Sequence, residues 1–532
     1  MINFNPHYNP YPATRNLLYA KNGVVATSQP LAAQAGLDIL KQGGNAVDAA
    51  IATAACLTVV EPTANGIGGD AFAIVYINGQ LHGLNASGTC PASLSIDTLK
   101  EKGITEIPKY GFIPVLVPGA PAAWIELSKR FGKLPLSDVL KPAINYARYG
   151  FPVSPGIAKS WKRAFEIFKK ELISEEFSSW FRTFTKNSKT PEAGEVFFLK
   201  DHANTLEKIE TFYTGELADR IDEYSRKYNG YIRKSDLENY KPLWVDPISV
   251  NYKGYDIWEI PPNGQGFITL QALKILEGFK FNSMDNAEEL HLQIEALKLA
   301  FADGINYIAD PNYMKLNVND LLDNKYISSR RKLIKDTASI FTHGKPKGSE
   351  TVYLATADSE GNMVSFIQSN YMGFGSGLVV PETGIALQNR GHNFSLDPTK
   401  PNALGPNKRS YHTIIPGFLT KGNKPIGPFG VMGGFMQPQA HLQVILNTID
   451  YQLNPQATLD KPRWQWLEKD KIIVEPNFDL KLIEALKLKG HKIEIDNNIA
   501  KFGRGQIIWQ NPETKVYVAG TDSRTDSQIA IY

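Results

Sequence analysis

Residues 351–377 read TVYLATADSEGNMVSFIQSNYMGFGSG, and this stretch decides the fold. The runs TVYLATAD and MVSFIQSNY are rich in β-branched and aromatic residues, and the polar SEGN between them predicts a tight turn joining two strands. The preceding residues 336–350, DTASIFTHGKPKGSE, are polar and poor in helix signals, which predicts an exposed linker. Thr351 therefore stands at the first position of a strand, directly after a linker.

That placement suits a self-cleaving N-terminal nucleophile. If the peptide bond between Glu350 and Thr351 breaks, Thr351 gains a free α-amine, whose reference pKa of about 7.7 to 8.0 suits a general base near neutral pH. The nucleophilic hydroxyl and its base then belong to one residue. Taken alone, Thr351 is better explained as an ordinary strand threonine, so its surroundings must decide.

The two sides of residue 350 differ in their patterns. Before it, helical periodicity dominates, with one helix expected over residues 31–42 and a second, nearly apolar one that Asn45 caps. A hairpin is expected around Asn78-Gly79. After it, short strand-like segments dominate, and they include GIALQNRG (384–391), SYHTIIPGF (410–418) and PIGPFGVMGG (425–434).

Composition excludes several classes of protein. The 532 residues are 42% hydrophobic and 21% charged, which is typical of a folded globular protein. Fifty-seven Lys and Arg against 54 Asp and Glu leave a net charge of +3, so no nucleic-acid partner is expected. No run of about 18 apolar residues and no basic-then-apolar leader occurs, so neither a membrane span nor a secretory signal is expected, and a cytoplasmic location follows as the expectation.

Other candidate motifs are weak. Residues 65–70, NGIGGD, lack the Lys-Ser/Thr of a phosphate-binding loop and lead into a strand, so the glycines are better explained by close backbone approach and positive φ. His291 and Glu295 have the i, i+4 spacing of metal ligands but no third ligand nearby in the sequence, so no metal is assigned and no cofactor is expected. No G-x-S-x-G nucleophile motif is present.

Several blocks, in order, resemble the γ-glutamyltranspeptidase family of N-terminal nucleophile hydrolases. They are GGNAVDAAIATAACLTVVEPTANGIGGDAF (43–72), the stretch 351–377, GIALQNRGHNFS (384–395), KRSYHTIIPGF, GVMGGFMQPQ and GTDSRTDSQIA. The resemblance spans essentially the whole chain. The motifs QSNYMGFGSG and QNRG resemble those of one branch more than those of the glutathione enzymes. That branch includes γ-glutamyltranspeptidase-like proteins, oxamate amidohydrolase and cephalosporin-acylase-like enzymes.

The resemblance implies an α+β fold, a four-layer αββα sandwich with a large helical N-terminal part, in a proenzyme that cleaves itself between Glu350 and Thr351. Residues 1–350 become a large subunit and 351–532 a small one, within one compact fold. It also implies that Thr351 is the nucleophile and that Ser369 hydrogen-bonds it. The backbone N–H groups of Gly433 and Gly434 are expected to form the oxyanion hole, a donor arrangement that glycine leaves unobstructed.

Departures from the family pattern fall in the substrate site. The arginine that holds the γ-glutamyl carboxylate is missing from LNASGTCPAS, where Ser87 stands near its place. The family's glutamate and aspartate that bind the substrate amine are replaced in this chain by Arg390 and Asn393. Its adjacent serine pair is replaced by His412-Thr413. Arg390 has the charge to bind a carboxylate bidentately, and a structural ion pair is the equal alternative.

The leading hypothesis is a self-processing threonine amidohydrolase or acyltransferase acting on a small-molecule amide. The resemblance implies γ-glutamyl compounds of the glutathione hydrolase and γ-glutamyltransferase type as its substrates, and a small carboxylated amide such as oxamate or a glutaryl amide is the runner-up. A catalytically inactive family member with a binding role is the alternative from another class. A nucleotide-binding enzyme built on NGIGGD is a third. The acyl acceptor and any homo-oligomer of the processed heterodimer stay open at this point.

Overall fold

The computed structural model describes residues 15–341 and 350–532. The strands within these residues are β1 (Leu18–Ala20), β2 (Gly23–Thr27), β3 (Asp70–Ile77), β4 (Gln80–Ala86), β5 (Phe151–Pro152), β6 (Val196–Phe197), β7 (Leu243–Val245), β8 (Ile248–Tyr252), β9 (Tyr255–Glu259), β10 (Glu350–Asp358), β11 (Met363–Tyr371), β12 (Gly417–Lys421), β13 (Lys424–Met432), β14 (Trp464–Glu468), β15 (Lys471–Val474), β16 (Lys492–Ile495), β17 (Arg504–Gln510), β18 (Tyr517–Thr521) and β19 (Gln528–Ile531).

The α-helices are α1 (Pro30–Lys41), α2 (Ala46–Val60), α3 (Ile96–Glu101), α4 (Ala120–Phe131), α5 (Leu136–Tyr149), α6 (Pro155–Glu171), α7 (Ser178–Phe184), α8 (Lys200–Glu207), α9 (Glu216–Lys227), α10 (Lys234–Glu238), α11 (Gly266–Leu276), α12 (Ala287–Tyr307), α13 (Val318–Leu321), α14 (Asn324–Arg331), α15 (Met436–Ile449), α16 (Pro455–Asp460) and α17 (Leu480–Leu488).

Two antiparallel sheets of seven strands each form the centre of the molecule. Sheet I has the order β1-β18-β17-β13-β12-β9-β8, and sheet II the order β19-β2-β10-β11-β3-β4-β7. One face of each sheet packs against the other in a shared apolar layer, because alternate residues of each strand point to one face. That layer includes Phe72, Ile74, Tyr353 and Ile367 from sheet II and Phe418 and Ile508 from sheet I.

Helices cover both outer faces. On sheet II, Leu354, Val364 and Phe366 pack in one apolar cluster with α2, α4 and α5. On sheet I, Leu419 and Trp509 pack in a second cluster with α11, α12 and α15. The layer order is therefore helix, sheet, sheet, helix, and the four-layer αββα sandwich expected from the resemblance is confirmed.

The local signals of the first 90 residues are confirmed. Helix α1 ends before Gly43, whose φ is +96°. Helix α2 begins after Asn45, whose side chain forms a capping box with Asp48, and every residue of α2 is buried. The hairpin β3–β4 turns at Asn78-Gly79, both with positive φ.

Two expectations about strands after residue 350 are wrong. Residues 384–391 form irregular backbone with isolated bridges, and a 3₁₀ turn covers Arg390–Asn393. Of the expected strand 410–418, residues 410–416 are irregular and only Gly417 and Phe418 belong to a strand, β12. Their β-branched residues fit a strand, but their hydrogen bonds go to loops and side chains. The predicted linker 336–350 also ends earlier than expected, since β10 already begins at Glu350; its residues 342–349 lie outside the described part of the chain.

The glycines of NGIGGD serve close approach, as predicted, but not positive φ. Gly66, Gly68 and Gly69 all lack it, whereas a Cβ on Gly68 would lie 2.2 Å from the carbonyl oxygen of Ala386. Within residues 15–341 and 350–532, no helix has both the length and the apolar character needed to cross a membrane.

Candidate active site

The hairpin β10–β11 brings Thr351 and Ser369 together. The Thr351 hydroxyl donates a hydrogen bond to Ser369 Oγ at 3.2 Å, and Ser369 Oγ also accepts one from the Tyr371 N–H at 2.8 Å. Ser369 lies two residues after Ile367, so both are on the same face of β11, the face that lines the layer between the sheets. A bulge between Glu350 and Val352 re-aims the start of β10, and Thr351 is fully buried in the uncleaved chain.

Gly433 and Gly434 form the turn between β13 and α15. Their φ angles are +139° and +60°, a region that favours glycine, and their carbonyls accept the first N–H groups of α15. Among the described residues, neither glycine N–H has an acceptor. Two free N–H groups at the N-terminus of a buried helix are a suitable place for a developing negative charge.

Gln265 ties this turn to the loop that carries His412 and Thr413. Its Nε2 donates to the carbonyl oxygens of Thr413 and Gly434, at 2.6 and 2.9 Å. Its Oε1 accepts the Tyr411 hydroxyl at 3.1 Å. Sequence reasoning did not identify Gln265, since a glutamine at the start of α11 carries no local signal of such contacts.

Arg390 is completely buried, and two of its three guanidinium nitrogens have no hydrogen-bond partner among the described residues. Nη1 donates to Thr413 Oγ1 at 2.6 Å, and the guanidinium lies over the ring of Tyr371 at 4.4 Å. Nε and Nη2 have no partner among the described residues. Burial lowers the pKa of Arg390 to about 10, although Asp70 and Tyr371 act in the opposite direction, so the guanidinium stays charged at neutral pH.

His412 does not stand alone but pairs with Asp70, a residue that the sequence did not single out. His412 Nε2 lies 2.9 Å from Asp70 Oδ2, and both side chains are buried. Asp70 Oδ1 accepts the N–H of Gly88 and the Nε2 of Gln388. Burial raises the pKa of Asp70 to about 7 against the opposing pull of Arg390, and burial together with Arg390 lowers the pKa of His412 well below its usual value.

Asn393 and Ser87 have their hydrogen bonds inside the protein. Asn393 Oδ1 accepts the Tyr371 hydroxyl at 2.6 Å, and its Nδ2 donates to the Tyr411 carbonyl. Ser87 Oγ donates to Asn85 Oδ1 at 2.7 Å and accepts from Asn263 Nδ2 at 3.2 Å. Near the position of the family's missing arginine, this chain therefore has the hydroxyl of Ser87 and the side-chain amides of Asn85 and Asn263.

The structure adds a third group to His291 and Glu295. His491 Nε2 lies 2.8 Å from His291 Nδ1, and ligand atoms of the three buried residues lie within 4.8 Å of one another. The Lys298 ammonium, however, lies 2.7 Å from Glu295 Oε1, also buried. Its positive charge and the direct contact between the histidines favour a hydrogen-bonded structural cluster over a cation site.

These contacts form one continuous chain that links Thr351, Ser369, Tyr371, Arg390, Thr413, Gln265 and Gly434. The sequence model of the gamma-glutamyltranspeptidase family matches residues 32–532, the part of the chain that holds every one of them. The chain belongs to this family. The family's N-terminal nucleophile fold is the αββα sandwich described above.

Relatives in the γ-glutamyltranspeptidase family carry several names. The solved structure of a cephalosporin acylase from Bacillus halodurans is 57% identical, with a TM-score of 0.96 and coverage of 99% of both chains. The glutathione hydrolase-like YwrD proenzyme of Bacillus subtilis strain 168 is 37% identical over 89% of this chain and 91% of its own. The oxamate amidohydrolase proenzyme of Klebsiella pneumoniae is 32% identical over 96% of this chain and 98% of its own.

Proposed function

We propose that this chain is a self-processing N-terminal threonine amidohydrolase that cleaves small amides carrying a carboxylate in their acyl part. The observation that carries the proposal is the buried, unpartnered edge of Arg390 in one continuous site with the hydroxyl pair Thr351–Ser369. Membership of the family and the name proenzyme among the relatives support the self-processing step.

Processing needs only the hydroxyl of Thr351 and water. The hydroxyl oxygen attacks the carbonyl carbon of Glu350, the C–N bond breaks, and the α-amine of Thr351 takes up the proton that the hydroxyl gave up. Water then hydrolyses the resulting ester, which leaves a carboxylate on Glu350 and a free N-terminal threonine. The hydrogen bond to Ser369 Oγ holds the attacking oxygen in one rotamer.

The same oxygen then serves the substrate. Thr351 Oγ1 attacks the amide carbonyl, the free α-amine accepts its proton, and this proton passes to the leaving amine. The N–H groups of Gly433 and Gly434 stabilise the oxyanion; loss of one such donor typically costs about 2.7 to 4 kcal/mol of transition-state stabilisation. Water, or an amine acceptor, cleaves the acyl-enzyme ester and restores the hydroxyl.

The free edge of Arg390 sets the substrate class. The guanidinium is planar, and Nε–H and one Nη2–H point outward in that plane along the same edge. They therefore match the two oxygens of one carboxylate. Tyr371 on one face and Thr413 at Nη1 fix the plane, so little rotational freedom is lost on binding. A buried guanidinium with two unsatisfied donors is costly, and an anionic ligand removes that cost.

A γ-glutamyl amide is the second candidate, because glutathione hydrolase is the name of several relatives. Such a substrate brings an α-ammonium as well as a carboxylate. In this chain Arg390, Asn393 and the Asp70-bound His412 stand where the amine-binding groups of the family are expected, and Arg390 repels an ammonium. We therefore expect glutaryl amides and oxamate to be better substrates than their γ-glutamyl counterparts.

Two measurements test this function. Intact mass of the purified protein should show two polypeptides that meet between Glu350 and Thr351, whereas Thr351→Ala should remain one chain and show no hydrolysis. Thr356→Ala, which removes another buried hydroxyl of β10, is the matched control and should still cleave itself. A wild-type chain that stays intact and hydrolyses nothing would instead support the binding role.

The second measurement compares kcat/KM for glutaryl-p-nitroanilide, γ-glutamyl-p-nitroanilide and butyryl-p-nitroanilide, with ammonia release from oxamate followed in parallel. The proposal expects the glutaryl compound to exceed the uncharged butyryl compound by at least tenfold. Equal rates for the two would contradict a carboxylate site. A preference for the γ-glutamyl compound would favour the second candidate.

A further inference from the structure

The Asp70–His412 pair is a buried titratable pair that the mechanism above leaves unused. Asp70 is the first residue of β3 and pairs in register with Ser369, so it lies one strand away from the hydroxyl pair. His412 precedes Thr413, which holds Nη1 of Arg390. The pair therefore joins the two halves of the site, although its members are 342 positions apart.

Gln388 also links the pair to the turn that carries Arg390. Gln388 Nε2 donates to Asp70 Oδ1 at 2.7 Å, while Gln388 Oε1 accepts the N–H of Arg390 at 3.2 Å. Among the described residues, no direct hydrogen bond joins Asp70 and Arg390, and Nε and Nη2 of the guanidinium have no hydrogen-bond partner. Asp70 thus balances the charge of Arg390 without occupying the place of a carboxylate ligand.

The charges around this pair can be counted. Phe72 covers the His412 ring at 4.7 Å. The titratable and charged groups that act on the pair are Arg390, Arg409, Tyr213, Tyr240 and, through Arg390, Tyr371. Arg409 is only partly buried and reaches solvent. With neutral tyrosines and histidine, the buried described groups around the pair in the uncleaved chain carry one positive charge, on Arg390, and one negative charge, on Asp70. Cleavage adds the α-amine of Thr351, whose reference pKa is about 7.7 to 8.0.

A substrate carboxylate at Arg390 would add a second anion to this neutral core. Two buried carboxylates near one guanidinium repel each other, and the ionised form of Asp70 is then the more costly one. We propose that the Asp70–His412 pair compensates this charge: it takes up one proton from solvent when a carboxylate binds to Arg390. The inference rests on the carboxylate site of the proposed function.

The raised pKa of Asp70, about 7, places the effect within reach of experiment, because burial already brings the carboxyl close to protonation. At pH 8 the free site is mostly ionised, so binding should draw a proton in. By linkage, the affinity for a carboxylate should weaken as pH rises above 7, by up to about tenfold per pH unit for one proton. The pair titrates as a unit, so the proton belongs to the pair rather than to either residue.

Calorimetry counts this proton directly. Glutarate is titrated into the processed wild-type enzyme at pH 8.0 in HEPES and in Tris, whose ionisation enthalpies differ, and glutaramide serves as the ligand without a carboxylate. The expected result is glutarate binding with an uptake approaching one proton per site. Glutarate binding with no uptake overturns the compensation while leaving the carboxylate site intact, and absence of glutarate binding overturns both.

Variants separate compensation from a structural role. Asp70→Asn keeps the acceptor for Gly88 and removes the charge, so uptake should vanish and the Kd for glutarate at pH 8 should be no weaker than in wild type and independent of pH. Glu259→Gln is the matched control, since Glu259 forms a second buried pair with His441 at 2.7 Å and should leave the uptake unchanged. Proton uptake that persists in Asp70→Asn would assign the proton to the α-amine of Thr351 and contradict the proposal, as would weaker, still pH-dependent binding. If that variant does not fold, an absence of uptake in the wild type still overturns the proposal.

Discussion

In the proposed function, Arg390 selects the substrate but takes no part in bond breaking. Its aromatic and hydroxyl neighbours, Tyr371 and Thr413, use one face and one nitrogen, and the remaining edge has the width of a carboxylate. Substituting it should therefore affect carboxylated substrates more than others.

We expect Arg390→Gln to lower kcat/KM for glutaryl-p-nitroanilide by about 10- to 150-fold, since a hydrogen bond to a charged group contributes about 1.5 to 3 kcal/mol. Arg390→Lys should fall between wild type and Arg390→Gln, because it keeps the charge but loses the fork. Steady-state kinetics with butyryl-p-nitroanilide is the control and should change by less than about threefold. Equal losses for both substrates would show that Arg390 acts on the fold.

The free edge of Arg390 and the charge of Asp70 are also the features that the sequence could not supply. The resemblance to the family places Arg390 in the substrate site, but whether the guanidinium is already paired depends on burial and on Thr413. In the sequence, Asp70 is recognisable only as the last residue of NGIGGD, and its partner His412 lies on a loop far away along the chain. Such long-range contacts leave no periodic trace in the sequence.

At the scale of elements, the parts that were predictable are those whose cause is local. The Asn45 cap of α2, the Asn78-Gly79 turn and the β10–β11 hairpin each depend on neighbouring residues, and the sequence predicts each of them. Residues 384–391 were wrongly expected to form a strand, because their backbone is held by Gly68 and Ser376 rather than by a regular ladder. Apolar β-branched composition alone does not reveal that difference.

The loop 384–391 is therefore the element most sensitive to the glycines of NGIGGD. Gly68 accepts the N–H of Gln388 at 3.1 Å, and a Cβ there would lie 2.2 Å from the oxygen of Ala386. Gly68→Ala should destabilise the protein by about 1 to 3 kcal/mol, as overpacking does. It should also raise KM for carboxylated amides, since the displaced backbone carries Arg390.

Urea unfolding and steady-state kinetics on the same preparation test this expectation. Gly405→Ala is the control, because the nearest atom to its Cβ would be 3.8 Å away and its φ is not positive, so stability should change by less than about 0.5 kcal/mol. A Gly68→Ala variant as stable as Gly405→Ala would show that the loop adjusts freely and does not depend on this contact.

At the scale of the whole molecule, the parts before and after residue 350 are not separate domains. In sheet II, β10 and β11 lie between β2 on one side and β3 on the other, and β19 pairs with β2. In sheet I, β12, β13, β17 and β18 lie between β1 and β9. Each part completes the sheets of the other, so a cut at Glu350 leaves every one of these ladders in place.

We therefore expect the two polypeptides of the processed protein to co-elute in size-exclusion chromatography and to unfold in a single thermal transition. Residues 351–532 expressed alone would expose five strand edges, on β10, β11, β12, β18 and β19, together with the apolar layer between the sheets, and such edges promote aggregation. That fragment should be insoluble alone and soluble when residues 1–350 are co-expressed. A soluble monomer of 351–532 with its own cooperative transition would contradict the shared fold, because it would mean that the inter-part ladders contribute little to its stability.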